Sequence, residues 1–467
     1  MISATLFAAA LAAAPAGAVP SFECPDADIN RTYEFRWRAF GRHCVKTPEG
    51  WVVTEFLPDV PWAGKYNTIV CPAGHHLREA RWMHDTSVAS DYARFWFGTN
   101  GAHRVKYCTW IGSSLIDVVR VTGDASTAVE LLDPIVALYE SWETKPIVYR
   151  TCPEGEPFPM GGDGKGMFTS VDDREGCEYS LGRDGYRPLF NSAMYGEAKA
   201  IAEIARLAKR ADIAERFSRK AEALGRGIRE KLWNPELSFF TTVRTNGTRS
   251  TVRELHGYAP WYFGMPLAGF GDAWAQVESE EGFAAPFGLC FAERRAPGFR
   301  IAYDGHPCQW NGPSWPFATS IVLTGLANAI AEGSSGDVGR ETYVKLLHQY
   351  AAQQVRRTED GKAIPWIDEN LDPFTGVWLS RAILHAQGKK DERGEDYNHS
   401  TFADLVISGL CGLRPQLDGA LEIHPLIPDT WDFTCLENVH VRGRSISLYW
   451  DRTGRRYGKG AGFSQAG

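Results

Sequence analysis

Two glutamates in loops beside predicted helices have the chemistry of a catalytic pair. Glu178 lies in the loop segment 175–180, and Glu369 lies in the segment 365–376, 191 residues further along the chain. Hydrolysis of a glycosidic bond needs two carboxyl groups that flank the bond, one as acid and one as base or nucleophile. Loops at one rim of a helical barrel could bring two such side chains together. Most loop carboxylates instead cap helices or face solvent, and on these residues alone that alternative stays open.

Carboxylates and aromatic side chains are concentrated together in five loop segments. Aromatic residues make up 12% of the 467 residues, with 16 tryptophans, and flat aromatic faces can pack on the apolar faces of sugars. Long loops inside a compact domain usually carry function. We therefore expect the five segments to lie together at one end of the fold: 81–97, 175–192, 304–316, 365–376 and 397–400.

Spacing and charge exclude several other kinds of site. The string GGDGKG at 161–166 lacks the Ser or Thr of a phosphate-binding P-loop, and the chain has no G-x-S-x-G serine motif. His75, His76 and Glu79 lack the HExxH spacing of a zinc protease, so we predict no metal and no cofactor. The 50 Lys and Arg against 57 Asp and Glu give a net charge of −7, which argues against nucleic acid as a partner.

The elements that must position these loops are mostly helical. Apolar residues recur every three or four positions in the segment 212–233, which predicts a helix with one buried face. Further helices are expected at 109–121, 126–142, 192–209, 316–332, 341–355 and 400–411, and less regular patterns lie near 87–97, 260–269, 272–280 and 377–387. Because no strands alternate with these helices, a parallel α/β sheet is excluded.

These patterns divide the chain into three structural regions. Residues 19–80 mix aromatic and β-branched residues with Pro and Gly, and we predict an irregular segment of loops and short strands there. Residues 81–415 are predicted to form an all-α dominated helical barrel whose mouth is built from loops. Strand patterns after Leu421 predict a small β element over residues 416–467.

The N-terminus has the pattern of a secretory signal peptide, assigned to residues 1–18. An apolar run at 4–14 is followed by the small residues Ala16, Gly17 and Ala18, and the run is too short to span a bilayer. No later segment is long enough to span one, so we expect a secreted or extracytoplasmic protein without a membrane partner. Some of the ten cysteines could pair as disulfides in that compartment. Their irregular spacing, without a CxxC motif, argues against a zinc site.

Taken together, the loop segments resemble those of the six-hairpin, (α/α)6-barrel glycosidases of the mannosylglycerate-hydrolase-like group, which includes glycoside hydrolase families 63 and 142. The string Trp310-Asn311-Gly312-Pro313-Ser314-Trp315 matches a family 63 signature. Glu369 precedes Asp372-Pro373-Phe374-Thr375-Gly376 by three residues, as the base does in that family. Gly176-Cys177-Glu178 resembles the Gly-x-Asp of the acid loop, with Glu in place of Asp.

The resemblance implies an (α/α)6 toroid with a small C-terminal β layer, which we expect to be incomplete, and a secreted inverting glycosidase. Glu178 would be the general acid and Glu369 the general base, with Asp184, Glu175 and Asp368 as neighbouring substitutes. The substrate would be an oligosaccharide, polysaccharide or other glycoside. The residues expected to bind it are Trp82, Asp85, Tyr179, Arg187, Asn191, Trp310, Gly312, Trp315, Trp366 and His399.

Two other kinds of function stay open on the sequence. Sugar epimerases and polysaccharide lyases also use helical toroids and depend on His, Tyr or Arg, in which case His84, His306 and His399 would matter more than Glu369. A carbohydrate-binding protein with a degenerate site is the non-enzymatic alternative. The sugar is also open, because likeness to family 142 suggests an arabinofuranoside, and likeness to family 63 suggests an α-glucoside or α-mannoside.

Overall fold

Helices form most of the regular structure of the chain. The computed structural model describes residues 19–98, 102–150, 155–301, 308–358, 360–386, 388 and 396–466, so the predicted signal peptide lies outside the described residues. The α-helices are α1 (Ala27–His43), α2 (Ala73–Ala80), α3 (Ser87–Gly98), α4 (Ile111–Thr122), α5 (Ser126–Glu130), α6 (Leu132–Thr144), α7 (Pro188–Leu207), α8 (Ala211–Gly227), α9 (Ala259–Tyr262), α10 (Pro316–Ala331), α11 (Arg340–Ala352) and α12 (Leu379–Ala386).

Most helices with strong periodicity lie where the sequence predicts them. The stripe predicted over 212–233 forms α8, which continues into a π-helical segment at Ile228–Leu232. The predicted helix 126–142 is divided at Leu131 into α5 and α6. The predictions over 260–269 and 272–280 were too long, since only the short α9 and a 3-10 helix at Gly271–Val277 form there. The segment 400–411 holds a π-helical stretch at Leu405–Leu410.

The prediction of loops and short strands over residues 19–80 is wrong for α1 and α2. Asp26 caps α1, because its side chain accepts hydrogen bonds from the backbone N–H groups of Asp28 and Ile29. Ile29, Tyr33 and Trp37 follow at spacings of four and are buried, so α1 turns one face toward the core. The aromatic and β-branched composition of the region conceals this helical periodicity.

The strands form small antiparallel sheets, of which the largest joins the two ends of the described chain. In chain order the strands are β1 (Ser21–Glu23), β2 (Cys44–Thr47), β3 (Gly50–Val53), β4 (Ile147–Arg150), β5 (Pro157–Gly162), β6 (Phe168–Thr169), β7 (Trp233–Asn234), β8 (Phe239–Phe240), β9 (Val355–Arg357), β10 (Ala363–Pro365), β11 (Leu413–Pro415), β12 (Leu421–Ile423), β13 (Phe433–Val441), β14 (Arg444–Asp451) and β15 (Gly462–Ala466). The four-stranded sheet has the order β1-β13-β14-β15. The C-terminal strands lie where the sequence predicts a β element, and β1 joins them.

The helices and the C-terminal sheet share one cluster of buried apolar side chains. It includes Phe217 of α8, Leu323 of α10 and Leu448 of β14. Across the described ranges, no helix is both long enough and apolar enough to cross a bilayer. No disulfide joins any two of the nine cysteines in these ranges, so the disulfides expected from the sequence are not formed among them.

Candidate active site

A single cavity of about 310 Å³ brings Glu178 and Glu369 together. Its volume lies at the small end of the range of roughly 300–1,000 Å³ that is usual for ligand sites. Three predicted substrate-binding residues, Trp310, Trp315 and His399, also line it. The remaining lining residues are Glu55, Phe56, Trp62, Ile69, Cys71, Tyr107, Gly176, Cys308, Phe317 and Tyr397.

The cavity lies where several helices begin. Cys71 precedes α2, Tyr107 precedes α4, and Trp315 immediately precedes α10. Proline occupies the first position of both α7 and α10, where its fixed φ suits a helix and its missing N–H is not needed. These helices therefore start sharply, and the segments before them, which carry Glu178 and Trp315, turn into the cavity.

A second cavity, of about 340 Å³, lies at the opposite ends of the same helices. Its lining includes Val121 near the end of α4, Glu203 near the end of α7 and Ala331 at the end of α10. Three of its carboxylates form ion pairs with arginines: Asp117 pairs with Arg78 at 3.0 Å and with Arg120, Glu203 also pairs with Arg120, and Asp404 pairs with Arg81. These ion pairs link the helix ends, and we assign no catalytic role to them.

A tight turn presents the Glu178 side chain. Gly176 has a φ of +69°, and a Cβ atom there would lie 2.9 Å from the Cys71 Sγ, so both its conformation and its surroundings require glycine. The Asp172 carboxylate accepts hydrogen bonds from the backbone N–H groups of Asp173 (2.7 Å) and Ser180 (3.1 Å). The Gly-x-Glu pattern found in the sequence thus lies in a turn that Asp172 holds by hydrogen bonds to residues before and after Glu178.

The surroundings of Glu178 favour its protonated form. Burial is the largest cause that raises the pKa of this carboxyl well above its ordinary value, and the charges of Asp173, Asp172 and Glu369 raise it further. A carboxyl group that keeps its proton at neutral pH can act as a general acid. The predicted role of Glu178 therefore matches its electrostatic environment.

The loop that carries Glu369 is fixed by a turn over residues 372–376. The Asp372 carboxylate accepts hydrogen bonds from the N–H of Phe374 (2.9 Å) and the hydroxyl of Thr375 (2.7 Å), and Gly376 closes the turn with a φ of +75°. The Glu369 side chain is buried and accepts a hydrogen bond from the Cys308 thiol at 3.4 Å. The Asp-Pro-x-Thr-Gly motif thus fixes the loop that carries the carboxylate.

The segment 310–315 ties the two glutamate loops to each other. The N–H of Trp310 donates to the carbonyl oxygen of Glu178 at 3.0 Å, and the backbones of Ser314 and Leu371 exchange two hydrogen bonds of 2.9 Å each. The rings of Trp310 and Trp315 stack with their centroids 3.9 Å apart. This segment therefore sets the position of Glu178 relative to Glu369 and also lines the cavity.

His399 contributes a neutral imidazole to the cavity. Burial, followed by the charges of His75 and Arg36, lowers its pKa well below the ordinary value. Neither of its ring nitrogens has a hydrogen-bond partner among the described residues. Because unpaired buried polar groups are rare, these nitrogens are suited to hydrogen bonds with the hydroxyl groups of a ligand.

Three of the predicted substrate-binding residues lie away from the cavity. The indole N–H of Trp82 donates to Asp404 at 2.8 Å, and Asp404 lines the second cavity. Asp85 caps α3, since its carboxylate accepts hydrogen bonds from the N–H and the hydroxyl of Ser87. Trp366 is buried in a separate apolar cluster. The expectation that Trp82, Asp85 and Trp366 line the sugar site is wrong, and the segment 81–97 does not join the other loops.

Asn191, Gly312 and Tyr179 also have no place in the cavity lining. The Asn191 amide holds β6 through two hydrogen bonds to the backbone of Phe168. A Cβ atom on Gly312 would lie 2.3 Å from the carbonyl oxygen of Arg300, so glycine is required there by close backbone packing. Tyr179 follows Glu178 with a φ of +61°. Asn191 and Gly312 therefore support the loops from outside the cavity lining.

Arg187 is the centre of a buried network behind the Glu178 turn, which corrects its predicted role in substrate binding. Its guanidinium lies 3.1 Å from the Glu175 carboxylate and donates to the Cys177 sulfur at 3.0 Å and to the Ser180 hydroxyl at 3.1 Å. Burial alone would raise the pKa of Glu175, but Arg187 and His256 lower it below the ordinary value. Glu175, Cys177 and His256 lie close enough to share a metal ion, yet the Arg187 cation already balances the Glu175 charge, so we assign no metal there.

Removal of the Arg187 charge is expected to destabilise the fold. Arg187→Met leaves the Glu175 carboxylate buried without its counter-charge, which should lower the free energy of unfolding by about 3–5 kcal/mol. Urea unfolding followed by tryptophan fluorescence measures the change. The control is Arg219→Met, because Arg219 is 65% exposed in its ion pair with Glu215, and it should change stability by less than about 0.5 kcal/mol. Equal effects of the two substitutions would contradict this account.

The other carboxylates considered from the sequence, and His84, do not line the cavity. The Asp184 carboxylate accepts a hydrogen bond from the N–H of Asp172, and the Asp368 carboxylate accepts one from the N–H of Glu369. His84 stacks on His440 with the ring centroids 3.5 Å apart. His306 lies outside the described residues. Glu178 and Glu369 thus stay the candidate pair.

Two cavity residues, Glu55 and Trp62, are absent from the predicted set. Glu55 comes two residues after β3 and is buried, and no local pattern marks it, because its place in the site depends on hydrogen bonds with residues 397 and 398. Trp62 is 40% exposed at the cavity and packs edge-on against Phe56 at 5.6 Å. Both lie in the region that was predicted to be irregular.

Comparison with known families agrees with this geometry. Residues 65–400 match the model of the mannosylglycerate hydrolase MGH1-like glycoside hydrolase domain. The chain belongs to this glycoside hydrolase family. Membership confirms the resemblance to the mannosylglycerate-hydrolase-like group of glycosidases. In this MGH1-like chain, residues 413–465 also match the C-terminal domain of glycosyl hydrolase family 65, which covers most of the C-terminal strands.

Solved structures similar to this MGH1-like chain include larger proteins. A structure named "Sialidase" is 35% identical with a TM-score of 0.85, and the match covers 96% of this chain and 40% of that one. The GH63 mannosylglycerate hydrolase from Thermus thermophilus in complex with glucose is 14% identical with a TM-score of 0.58, covering 81% and 99%. The GH78 family rhamnosidase of a Bacillus species is 14% identical with a TM-score of 0.57, covering 93% and 41%. The chain spans 40% of the length of the first of these structures.

Proposed function

We propose that the protein is an inverting glycosidase that removes an exposed sugar residue. Glu178 gives its proton to the oxygen of the leaving group as the bond between that oxygen and the anomeric carbon breaks. A water molecule attacks the anomeric carbon from the opposite face, and Glu369 accepts the proton that the water loses. The products are the free sugar with inverted configuration and the protonated leaving group.

The observation that carries this proposal is the presence of both carboxyl groups in one cavity. Burial and three neighbouring carboxylates raise the pKa of Glu178, which suits an acid. An inverting enzyme needs space for the attacking water, so we predict that the two carboxyl groups stand roughly 6.5–9.5 Å apart. Trp310 and Trp315 form an aromatic wall beside them, and His399 is suited to hold a sugar hydroxyl.

The lining of the cavity favours an uncharged sugar. The described residues that line it include no Lys or Arg, and burial holds His399 in its neutral form. No cation there would balance a carboxylate on the substrate, and burying an unpaired charge is costly. We therefore propose a neutral glycoside, such as an arabinofuranoside, α-glucoside or α-mannoside, and we do not extend the name of the sialidase structure to this chain.

The architecture and location of the protein are part of the same proposal. Several helices begin at the cavity that holds Glu178 and Glu369 and end at the second cavity, which supports an arrangement as an (α/α)6 toroid. The C-terminal sheet would pack against this toroid. The apolar run at residues 4–14, followed by small residues, supports export from the cytoplasm. Most of the described cysteines are buried, where they are protected from oxidation.

Hydrolysis of chromogenic glycosides with detection of the product anomer tests the proposed function. The para-nitrophenyl derivatives of α-L-arabinofuranose, α-D-glucopyranose, α-D-mannopyranose and sialic acid form the panel, and proton NMR in the first seconds of reaction identifies the anomer released. We expect one neutral glycoside to be cleaved with inversion and the sialoside to be untouched. Release of the retained anomer would refute the inverting mechanism, and an unsaturated product would indicate a lyase.

A further inference from the structure

Glu55 is a third carboxyl group in the cavity, and two segments hold it there. Its Oε1 accepts a hydrogen bond from the hydroxyl of Tyr397 at 2.5 Å, and its backbone carbonyl accepts one from the N–H of Asn398 at 3.0 Å. The N–H of Tyr397 in turn donates to the carbonyl oxygen of Ile367, two residues before Glu369. Glu55, Tyr397 and Glu369 therefore lie on adjoining segments that share backbone hydrogen bonds.

The second carboxyl oxygen of Glu55 has no partner in the described part of the chain. Oε2 is buried and makes no hydrogen bond there, which costs about 1–3 kcal/mol if nothing else binds it. Not every buried glutamate shares this feature. The carboxyl group of Glu197, for instance, accepts hydrogen bonds from the N–H groups of Gly112 (3.2 Å) and Ser113 (2.7 Å) and lies outside the cavity lining.

The environment of Glu55 also lets it donate a hydrogen bond. Burial raises its pKa to about 8, with the Tyr397 hydrogen bond opposing this rise and the charge of Glu369 adding to it. At neutral pH the group is therefore mostly protonated. A neutral carboxyl offers one donor and one acceptor, which suits a sugar hydroxyl.

We propose that Glu55 is a third substrate-binding group of the cavity, whose Oε2 forms a hydrogen bond with one hydroxyl of the sugar bound between Glu178 and Glu369. This proposal rests on the glycosidase function proposed above. Tyr397 is a positioning residue, because its hydroxyl fixes Oε1 and so aims Oε2. Its ring packs on Phe56 with the centroids 4.8 Å apart, which keeps the hydroxyl in place.

Kinetics on deoxy sugars separate this role from a structural one. The probes are the para-nitrophenyl α-L-arabinofuranoside, α-D-glucopyranoside or α-D-mannopyranoside that the wild type cleaves, and its monodeoxy analogues. In the wild type, removal of the one sugar hydroxyl that binds Glu55 should lower kcat/KM by roughly 10–100-fold, because the buried Oε2 of Glu55 then loses its hydrogen bond. In Glu55→Ala the penalty at that position should fall below about threefold, while penalties at other positions stay unchanged.

Two further variants keep the test decisive. Tyr397→Phe keeps the ring against Phe56, removes only the hydroxyl, and should weaken discrimination at the same position even if Glu55→Ala folds poorly. Glu197→Gln, a buried glutamate outside the cavity, should retain the full wild-type penalties. Unchanged penalties in both Glu55→Ala and Tyr397→Phe would overturn the proposal.

Failure of the glycosidase function gives a different result from failure of the Glu55 proposal. A wild type that cleaves none of the probes contradicts the proposed function. Calorimetry with L-arabinose, D-glucose and D-mannose then tests Glu55 alone. Sugar binding lost in Glu55→Ala and kept in Glu197→Gln supports the contact, and equal binding by the wild type and Glu55→Ala, or no binding by the wild type, rejects it.

Discussion

Glu369→Gln should lower kcat by roughly 10²–10⁴-fold while the fold stays intact, because the variant keeps the shape of the side chain and loses the base. The amide cannot accept the proton of the attacking water, yet it can still accept the hydrogen bond that the Cys308 thiol donates at 3.4 Å. Substrate contacts made by Trp310 and His399 are untouched, so KM should change far less than kcat. Initial rates on the cleaved para-nitrophenyl glycoside measure both constants.

The control for this variant is Glu197→Gln, which alters a buried glutamate outside the cavity lining. It should keep the turnover of the wild type, and circular dichroism should show the same helical content in both variants. Adding azide to Glu369→Ala should restore part of the turnover, because this nucleophile needs no base to remove a proton. Turnover of Glu369→Gln equal to that of the wild type would end the assignment of Glu369.

The sequence predicts the later helices better than it predicts residues 19–80. The spacing of apolar residues along the chain is a stronger signal of a helix than the amino-acid composition of a region. The stripe of α8, with Ile213, Phe217 and Leu224 buried, is readable without a structure. The stripe of α1 is equally regular, but its aromatic residues resemble those of strands, and α1 was therefore missed. One buried face at helical spacing carries more information than the residue types that form it.

Pocket and core tryptophans could not be told apart from the sequence. Trp310 and Trp366 both stand in loops beside carboxylates, yet Trp310 lines the cavity and Trp366 packs against other apolar residues. Glu55 was missed for the opposite reason. It reaches the site through hydrogen bonds with residues 397 and 398, more than 300 positions away, and local patterns carry no record of such pairing.

Glu178→Gln should give a loss that depends on the leaving group. A poor leaving group, such as an alkyl alcohol or another sugar, needs the proton that Glu178 supplies, and turnover should fall by roughly 10²–10⁴-fold. A dinitrophenyl group leaves without protonation, so the same variant should cleave a dinitrophenyl glycoside within about tenfold of the wild-type rate. Rates on alkyl, para-nitrophenyl and dinitrophenyl glycosides of one sugar measure the trend, which Glu369→Gln should not show.

The pH profile gives an independent test of the same assignment. Since burial and neighbouring carboxylates raise the pKa of Glu178, its acid form should persist above the ordinary range of glutamate, and wild-type kcat should fall only as the pH rises through that raised pKa. In Glu178→Gln this alkaline fall should disappear from the residual rate on the para-nitrophenyl glycoside, because no acid is left to lose its proton. Glu55 also titrates in this region, with a pKa of about 8, so the profile is repeated in Glu55→Gln. An alkaline fall that persists in Glu178→Gln and vanishes in Glu55→Gln would transfer the role of acid to Glu55.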